Sequence, residues 1–361
     1  MSGYDTAVIG AGSFGAWTAW HLKRAGHRVL LVDAWGPAHS RASSGGETRI
    51  IRMGYGADEI YTRMAQRSLD LWKQVTPREF LRTGVLWMAR ENNDYSSATR
   101  QTFERTGVSH EILSGGEIAR RYPQMRFAEP EVYGIYEPES GALLARRAVA
   151  SVCEGIDYIT MAASWPCDIR AANYVFACGV WLPKLFPELL SGRITPTRQE
   201  VFYFAPPPGD SGYMPGRLPV WIDFTDPRGP YGFPDIESRG VKLALDRHGP
   251  PCDPDTMDRR PSAEALAEAR AFLAERFPAL RDAPLNESRV CQYENTSSGD
   301  FLIDRHPDHP NVWLVGGGSG HGFKHGPAVG EYVCNRMLHG APEEPRFALK
   351  TKLQSAARRV Y

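Results

Sequence analysis

The sequence predicts an α/β (α+β) protein in which strand–helix units at both ends of the chain enclose a β-rich middle region. The first 33 residues alternate strand, glycine turn, helix and strand. A second glycine-rich turn follows an apolar strand at 312–315, and proline and glycine divide the middle of the chain into short β-like runs. The length of 361 residues corresponds to about two domains.

The N-terminal unit has the pattern of a Rossmann-like nucleotide-binding unit. Its expected elements are a strand at 4–9, a helix at 16–25 and a second strand at 28–32. Between the first two, Gly10 permits a tight turn, Gly12 lets the backbone approach a pyrophosphate, and Gly15 lets helix and strand pack closely. The helix N-terminus beyond Gly12 would receive the phosphates, and Ser13 is a further candidate for cofactor binding.

An acidic residue, Asp33, ends the second strand of this unit. A carboxylate at this position accepts hydrogen bonds from a ribose, and it favours an unphosphorylated ribose. The unit therefore predicts FAD or NAD rather than NADP, and does not distinguish between the first two.

The elements that follow are marked by periodicity and by helix caps. Ser114 and Glu117 form a capping-box pattern, and Ser262 is an N-cap candidate. Helices are expected at 57–75, after 114, at 144–153 and at 262–277, and strands at 84–89, 201–204, 220–223 and 241–245.

Near the C-terminus, the strand at 312–315 enters a glycine-rich turn at 316–326, and a helix is expected at 327–338. This turn lets a second helix N-terminus approach a bound ligand. A nicotinamide cofactor would not need both ends of the chain, so the pair of turns favours a long flavin dinucleotide.

Composition excludes several classes of protein. Lys+Arg 42 balance Asp+Glu 42, which argues against a nucleic-acid or anionic-membrane binder. The absence of a long apolar run and of a signal-peptide pattern predicts a cytoplasmic protein. No cysteines form a CxxC pair, and the two histidine pairs, 306/309 and 321/325, lack further ligands at metal-binding spacing, so no metal site is expected.

Seven segments together resemble the D-amino-acid-oxidase-like FAD superfamily, and within it the sarcosine oxidase and N-methyltryptophan oxidase group. They are GAGSFG with Asp33, GETRIIR (46–52), YGFP (231–234), VKLAL (241–245), CQY (291–293), DFLID (300–304) and SGHGFKHGPAVGE (319–331). Because they occur in the family's order over nearly the whole chain, the resemblance is more specific than the first glycine motif alone.

The resemblance implies two interleaved domains, with the substrate domain built on a mixed β-sheet. An FAD-binding domain is expected from 1–80, 144–195 and 295–361, and a substrate-binding domain from 81–143 and 196–294. Relatives of this kind oxidise the C–N bond of a secondary or N-methyl amino acid. Two electrons pass to the flavin, the imine hydrolyses, and dioxygen reoxidises the flavin to give hydrogen peroxide.

The resemblance also implies roles for individual residues. Cys291 matches the cysteine that tethers the flavin covalently; the alternative is an inert buried thiol. Arg52 and Lys324 match the pair that grips the substrate carboxylate, a task that suits a planar guanidinium and a point charge. Lys242 matches the lysine that helps dioxygen accept electrons, although an ordinary strand with one polar face has the same pattern.

Further matches lie around the expected flavin. Arg49 matches a residue beside the flavin ring, where a cation stabilises the reduced cofactor. Tyr231 and Tyr293 match aromatic residues of the substrate pocket, with a core or surface aromatic as the alternative. The remaining matches on the cofactor side are Thr48, Gly320 and Gly322.

Three departures from the family pattern affect the expected substrate and cofactor sites. Ser44 and Gly45 stand where close relatives carry a His-His pair, and Asp246 stands where a histidine often occurs. An inward-pointing acid at 246 could pair with a substrate ammonium. The resemblance also implies that the chain is shorter than its relatives by about one β-hairpin between 150 and 174, which would expose the adenine half of FAD.

Two alternatives to an oxidase remain open. One is an FAD-dependent amino-acid dehydrogenase that passes electrons to a quinone or carrier protein. The other is a non-catalytic flavin-binding subunit. For the oxidase, the expected partners are a small carboxylate-bearing amine and dioxygen, and the resemblance favours a monomer.

Overall fold

The protein is described by a computed structural model that covers residues 3–127 and 132–353. Parts of the two expected domains, at residues 1–2, 128–131 and 354–361, lie outside the described residues. Across the described ranges, no helix combines the length and apolar character that a membrane span requires.

The strands, in chain order, are β1 (Tyr4–Ile9), β2 (Val29–Asp33), β3 (Thr48–Ile51), β4 (Phe80–Leu81), β5 (Val85–Arg90), β6 (Glu111–Ser114), β7 (Val132–Glu137), β8 (Gly141–Leu144), β9 (Asp157–Thr160), β10 (Ala171–Phe176), β11 (Ile194–Phe204), β12 (Val220–Asp223), β13 (Pro230–Phe233), β14 (Val241–Leu245), β15 (Leu285–Thr296), β16 (Leu302–Arg305) and β17 (Val312–Gly316). The α-helices are α1 (Ser13–Arg24), α2 (Glu59–Val75), α3 (Asp94–Thr106), α4 (Gly115–Arg121), α5 (Ala145–Cys153), α6 (Leu182–Leu185), α7 (Pro187–Leu190), α8 (Ala263–Arg276) and α9 (Gly326–His339).

A six-stranded sheet has the order β16-β17-β10-β1-β2-β9. All neighbouring pairs are parallel except β16 and β17. Helices α1 and α9 pack closely, because Gly330 of α9 lies against the main chain of Trp17, where a Cβ atom would approach to 2.5 Å. Because strands β1, β2, β10 and β17 run in the same direction, their carboxyl ends all lie at one edge of the sheet.

An eight-stranded mixed sheet has the order β15-β11-β14-β13-β12-β5-β7-β6. Only β5 and β12 pair in parallel; the other pairs are antiparallel. Trp221 anchors one face of this sheet to α8, with its ring 5.5 Å from that of Phe272. The predicted fold class is confirmed: an α/β protein with one largely parallel sheet and one mixed sheet.

The strands follow the expected division of the chain. Those of the six-stranded sheet lie within 1–80, 144–195 and 295–361, and those of the eight-stranded sheet lie within 81–143 and 196–294 except at the ends of β11 and β15. In a three-stranded sheet, β3-β8-β4, the strands β4 and β8 contain two of the expected boundaries, and β3 lies within 1–80. The domain division itself stays a prediction.

Most predicted elements lie within a few residues of their observed bounds. Helix α1 begins at Ser13, three residues before the predicted start, and α4 has the predicted capping box at Ser114. The long strand β15 was not predicted. Most of its residues are partly buried, so its sequence lacks a clean apolar alternation.

Candidate active site

Two cavities of about 440 Å³ each adjoin one another. The first cavity lies at the carboxyl ends of β1, β2, β10 and β17, where ligands of open α/β sheets bind. The second cavity lies against the eight-stranded sheet. Four residues line both cavities: Arg49, Tyr293, Gly320 and Phe323.

The glycine turn after β1 has the predicted geometry. Gly10 has a φ of +103°, and a Cβ atom at this position would lie 2.3 Å from the Ala177 carbonyl oxygen. A Cβ at Gly15 would lie 1.8 Å from the Gly10 oxygen, so this residue serves close packing and lines neither cavity. At Gly12 the nearest such contact is 3.4 Å, which leaves the backbone open to the first cavity.

Asp33 and Ser13 also line the first cavity. The Asp33 carboxylate accepts hydrogen bonds from the Ala11 amide at 2.8 Å and from the Trp35 amide at 2.9 Å. Its further acceptor positions remain available to a ribose. The Ser13 hydroxyl donates to the Phe323 carbonyl at 2.9 Å and so connects the two glycine-rich turns.

The C-terminal turn needs its glycines. Gly320 has a φ of +81°, and a Cβ there would come within 2.7 Å of the Tyr293 ring. A Cβ at Gly322 would lie 2.8 Å from the Gly318 Cα. Gly322 lines the first cavity and Gly320 lines both, so this turn brings main chain to the junction.

Arg52, one of the two predicted carboxylate-binding cations, is buried in the wall of the second cavity with 3% of its surface exposed. Its guanidinium lies 4.5 Å from the Trp87 ring centre and 4.7 Å from that of Tyr55, which fixes its plane. The buried Glu137 carboxylate accepts from the Trp87 indole at 2.7 Å. Burial raises the pKa of Glu137, and nearby Arg52 opposes this rise.

Lys324, the second predicted cation, lines the same cavity and is 5% exposed. Its ammonium donates to the Tyr55 hydroxyl at 2.7 Å and to the His321 carbonyl at 2.9 Å. The Tyr55 hydroxyl also lies 2.8 Å from His325 Nε2. Burial and Lys324 hold the pKa of His325 well below its ordinary value, so this imidazole is neutral.

Lys242 is 2% exposed in the second cavity. Its ammonium donates to the Thr48 carbonyl at 2.9 Å and to the Thr48 hydroxyl at 3.1 Å, and it lies 4.3 Å from the Phe233 ring centre. Burial, assisted by the charge of Arg49, holds the pKa of Lys242 well below its ordinary value. Thr48 itself lines the second cavity rather than the first.

Arg49 and Cys291 meet at the junction of the two cavities. The Arg49 guanidinium donates to the Thr48 carbonyl at 2.8 Å and contacts the Cys291 Sγ at 3.4 Å. Burial opposes the charge of Arg49, but Cys291 and Tyr231 outweigh it and raise the pKa of Arg49. Cys291 lines the second cavity, next to this cation.

Tyr231 and Tyr293 both line the second cavity. The Tyr293 hydroxyl donates to the Asp246 carboxylate at 3.2 Å, so the acid at 246 points inward. Burial, followed by the charge of Asp246, raises the pKa of Tyr231. The cavity thus combines buried cations with three carboxylate residues on its wall, Asp246, Glu200 and Asp226.

Sequence reasoning missed three residues of this region. Tyr55 contacts both Arg52 and Lys324, Glu137 lies behind Arg52, and Glu294 lines the first cavity. Each is a single polar residue outside the glycine motifs, so the sequence carries no local signal for them. Within residues 3–127 and 132–353, no group of three or more His, Cys, Asp or Glu side chains is arranged to hold a metal ion.

Together, a cavity at the strand ends that suits a dinucleotide and an adjoining cation-lined cavity are typical of a dinucleotide-dependent enzyme. The chain belongs to the family of FAD-dependent oxidoreductases, which its residues 5–336 match. FAD is therefore its cofactor, which resolves the choice between FAD and NAD and confirms the predicted family. The strand-edge cavity, the open backbone at Gly12 and the carboxylate of Asp33 fit this dinucleotide.

Known proteins agree with this assignment over nearly the whole chain. Monomeric sarcosine oxidase of Bacillus sp. (strain B-0618) is 33% identical, over 97% of this chain and 98% of that protein. N-methyl-L-tryptophan oxidase of Salmonella typhimurium is 28% identical, over 94% and 96%. The crystal structure of L-proline dehydrogenase from P. horikoshii shares the fold, with a TM-score of 0.82 at 20% identity over 96% of this chain and 97% of that chain.

Proposed function

We propose that the protein oxidises the carbon–nitrogen bond of a secondary or N-methyl amino acid, with dioxygen as the final electron acceptor. The observation that carries the proposal is the position of Arg52 and Lys324. Both are buried cations in a cavity that shares a wall with the cofactor cavity. Bound FAD would accept two electrons from the amine and pass them to dioxygen, and water would hydrolyse the imine.

Individual residues of the second cavity would then have separate roles in binding the substrate. Arg52 and Lys324 would hold the substrate carboxylate, since a guanidinium fixed between two rings offers a planar fork and an ammonium offers a point charge. Tyr55 would hold both cations in place. The carboxylate would anchor the amine carbon near Tyr293 and Arg49, at the junction of the cavities.

Lys242 would serve the reaction with dioxygen. It is buried at the cavity wall, where a positive charge stabilises negative charge that develops on a small acceptor. The Thr48 oxygens and the Phe233 ring favour its protonated form, against the desolvation that lowers its pKa. Thr48 would therefore position Lys242 rather than bind the cofactor directly.

Cys291 would carry a covalent flavin. The linkage joins Sγ to the 8α carbon of the flavin with loss of one hydrogen from each, and dioxygen takes up the two electrons. The supporting observation is that Sγ lies 3.4 Å from Arg49, at the edge of the shared wall. All six cysteines are free thiols, which fits the reducing cytoplasm proposed for this protein.

Asp246 would select among amino acids. Its inward-pointing carboxylate suits a substrate whose side chain or amine substituent carries a cationic or hydroxyl donor. A short apolar amine would leave this carboxylate without a substrate contact. The substrate therefore extends beyond a simple N-methyl group in this proposal.

The test is an anaerobic flavin-reduction screen over primary, N-methyl and cyclic amino acids, followed by admission of air. We expect N-methyl or cyclic amino acids to bleach the flavin and air to restore it with formation of hydrogen peroxide. Bleaching without peroxide would indicate a dehydrogenase that uses a quinone or carrier protein. If none of the amines bleached the flavin, the proposal would fail in favour of a non-catalytic subunit.

A further inference from the structure

The first cavity contains a carboxyl group that the proposed reaction does not use. Glu294 on β15 lines this cavity, one residue after Tyr293, which lines both. Its Oε2 atom is buried and has no hydrogen-bond partner among the described residues. A buried polar atom without a hydrogen-bond partner is unfavourable, so a ligand that hydrogen-bonds Oε2 would gain affinity at this position.

Three glycines shape the surroundings of this carboxyl group. A Cβ atom at Gly316 would lie 3.0 Å from Oε2, one at Gly318 would lie 3.2 Å from Oε1, and one at Gly179 would lie 3.9 Å from Oε2. Gly316 ends β17, and Gly179 follows β10, its neighbour in the sheet. The carboxyl group therefore lies between the ends of these two strands.

The order of the sheet assigns this position to one part of the cofactor. Asp33 ends β2, Gly12 follows β1, and Glu294 lies next, beside the ends of β10 and β17. A dinucleotide with its adenosine ribose at Asp33 and its pyrophosphate at Gly12 would continue toward the junction past Glu294. The part of FAD between pyrophosphate and ring is a polyol, the ribityl chain.

The chemistry of the carboxyl group favours the same part of the cofactor. Hydroxyl groups donate to a carboxylate and also accept from its protonated form, whereas a phosphate repels the charged form. Burial raises the pKa of Glu294 to about 7, although the amides of Gly317 and Gly318 oppose this rise. Either protonation state can therefore bond a hydroxyl near neutral pH.

We propose that Glu294 is a cofactor-binding residue whose carboxyl group hydrogen-bonds a ribityl hydroxyl of FAD between the ends of β10 and β17. The proposal rests on the FAD of the family and not on the amine substrate proposed above. The proposal also explains the glycines at Gly316 and Gly318, because the absence of a Cβ atom at these positions leaves room for the Glu294 carboxyl group.

The experiment measures FAD affinity of the refolded apoprotein in a Cys291→Ser parent, so that a covalent bond cannot hide a change in affinity. Glu294→Leu is expected to raise the dissociation constant about tenfold, and Glu294→Gln to change it less than threefold. The matched control is Asn295→Leu. Asn295 is the next residue on β15 and also has a buried oxygen without a partner among the described residues, but it lines neither cavity.

FAD analogues that lack one ribityl hydroxyl distinguish contact from general damage. To the parent, at least one 2′-, 3′- or 4′-deoxy analogue should bind about tenfold more weakly than FAD. To the Glu294→Leu variant, the same analogue should bind as tightly as FAD. If the leucine variant does not fold, Glu294→Ala takes its place. Equal losses in parent and variant for every analogue would overturn the proposal, and so would a dissociation constant of Glu294→Leu within threefold of that of the parent.

Discussion

The first and second cavities have similar volumes, about 440 Å³ each, but are built from different parts of the chain. The lining of the first cavity includes six glycines at turns that follow the parallel strands β1, β10 and β17. The second cavity is formed by side chains, including Arg52, Lys242 and Lys324, that come from elements distant in sequence. A change in a glycine should therefore affect cofactor binding, and a change in a cation should affect substrate or dioxygen.

The strongest test of this division is Arg52→Ala. Loss of a buried cation that would pair with the substrate carboxylate costs about 3–5 kcal/mol, so kcat/KM for flavin reduction should fall by about 10²- to 10⁴-fold. FAD content should not change. Anaerobic stopped-flow reduction measures the rate, and the exposed Arg63→Ala serves as the control. A threefold loss or less, or a parallel loss of flavin, would contradict the separation of the two cavities.

The next test, Lys242→Met, asks whether the second cavity has separate residues for the reaction with dioxygen and for binding of the amine. Loss of a preorganised charge typically slows a step by about 10²-fold, so reoxidation by dioxygen should slow by that factor while reduction by the amine changes little. Because the pKa of Lys242 is lowered, the wild-type reoxidation rate should fall as pH rises through that lowered pKa, and the variant should lose this fall. Rapid mixing of the reduced enzyme with dioxygen gives both results. Equal slowing of the two half-reactions would refute the assigned role.

A smaller effect is expected from Gly12→Ala in the first cavity. The new methyl group has room in the protein, with its nearest neighbour at 3.4 Å. It would narrow the space in which we expect the pyrophosphate to bind. FAD affinity should fall about tenfold without loss of apoprotein stability. Gly116→Ala is the matched control, since a Cβ there meets nothing within 4 Å. Unchanged affinity would show that the cofactor does not approach this turn.

The smallest expected effect concerns Glu294→Gln and the pH dependence of apoprotein stability. The pKa of Glu294 is raised from an ordinary 4.5 to about 7, so the native state binds more protons than the unfolded state in this interval. The free energy of unfolding of the wild type should therefore decrease as pH rises from 5 to 7, whereas that of the variant should not show this decrease. We expect the difference between the two proteins to change by about 1 kcal/mol, because solvent in the cavity weakens the effect. Urea unfolding at several pH values measures the difference. A difference independent of pH would mean that the carboxyl group titrates normally.

The sequence predicted the first cavity better than the second for a physical reason. One short strand–helix–strand unit contains Gly10, Gly12, Gly15 and Asp33. In this unit, the absence of a side chain at each glycine is required by the local backbone conformation, by a neighbour close in sequence or by the expected cofactor. Residue pairs such as Lys242 and Thr48 meet across 194 positions of sequence, and no local pattern encodes that contact. For the second cavity, the prediction depended on resemblance to a family.

The absence of local sequence patterns also explains why three residues near the cavities were not predicted. Tyr55 and Glu137 are supporting residues whose partners are set by packing around Trp87, and Glu294 is a single acid on a strand without clear alternation. A helix cap, by contrast, was predictable at Ser114 and Ser262 because its donor and acceptor lie three residues apart.

Strand β15 serves both cavities through the two faces of a single strand. Cys291 lines the second cavity, Gln292 and Glu294 line the first, and Tyr293 between them reaches both. Its register against β11 pairs Cys291 with Gln199 and Tyr293 with Thr197. Because side chains alternate with a period of two, insertion or deletion of one residue before Cys291 would exchange the thiol and the carboxyl group between the faces. A change of chain length by one residue in this strand therefore preserves both cavities only where a β-bulge absorbs it before Cys291.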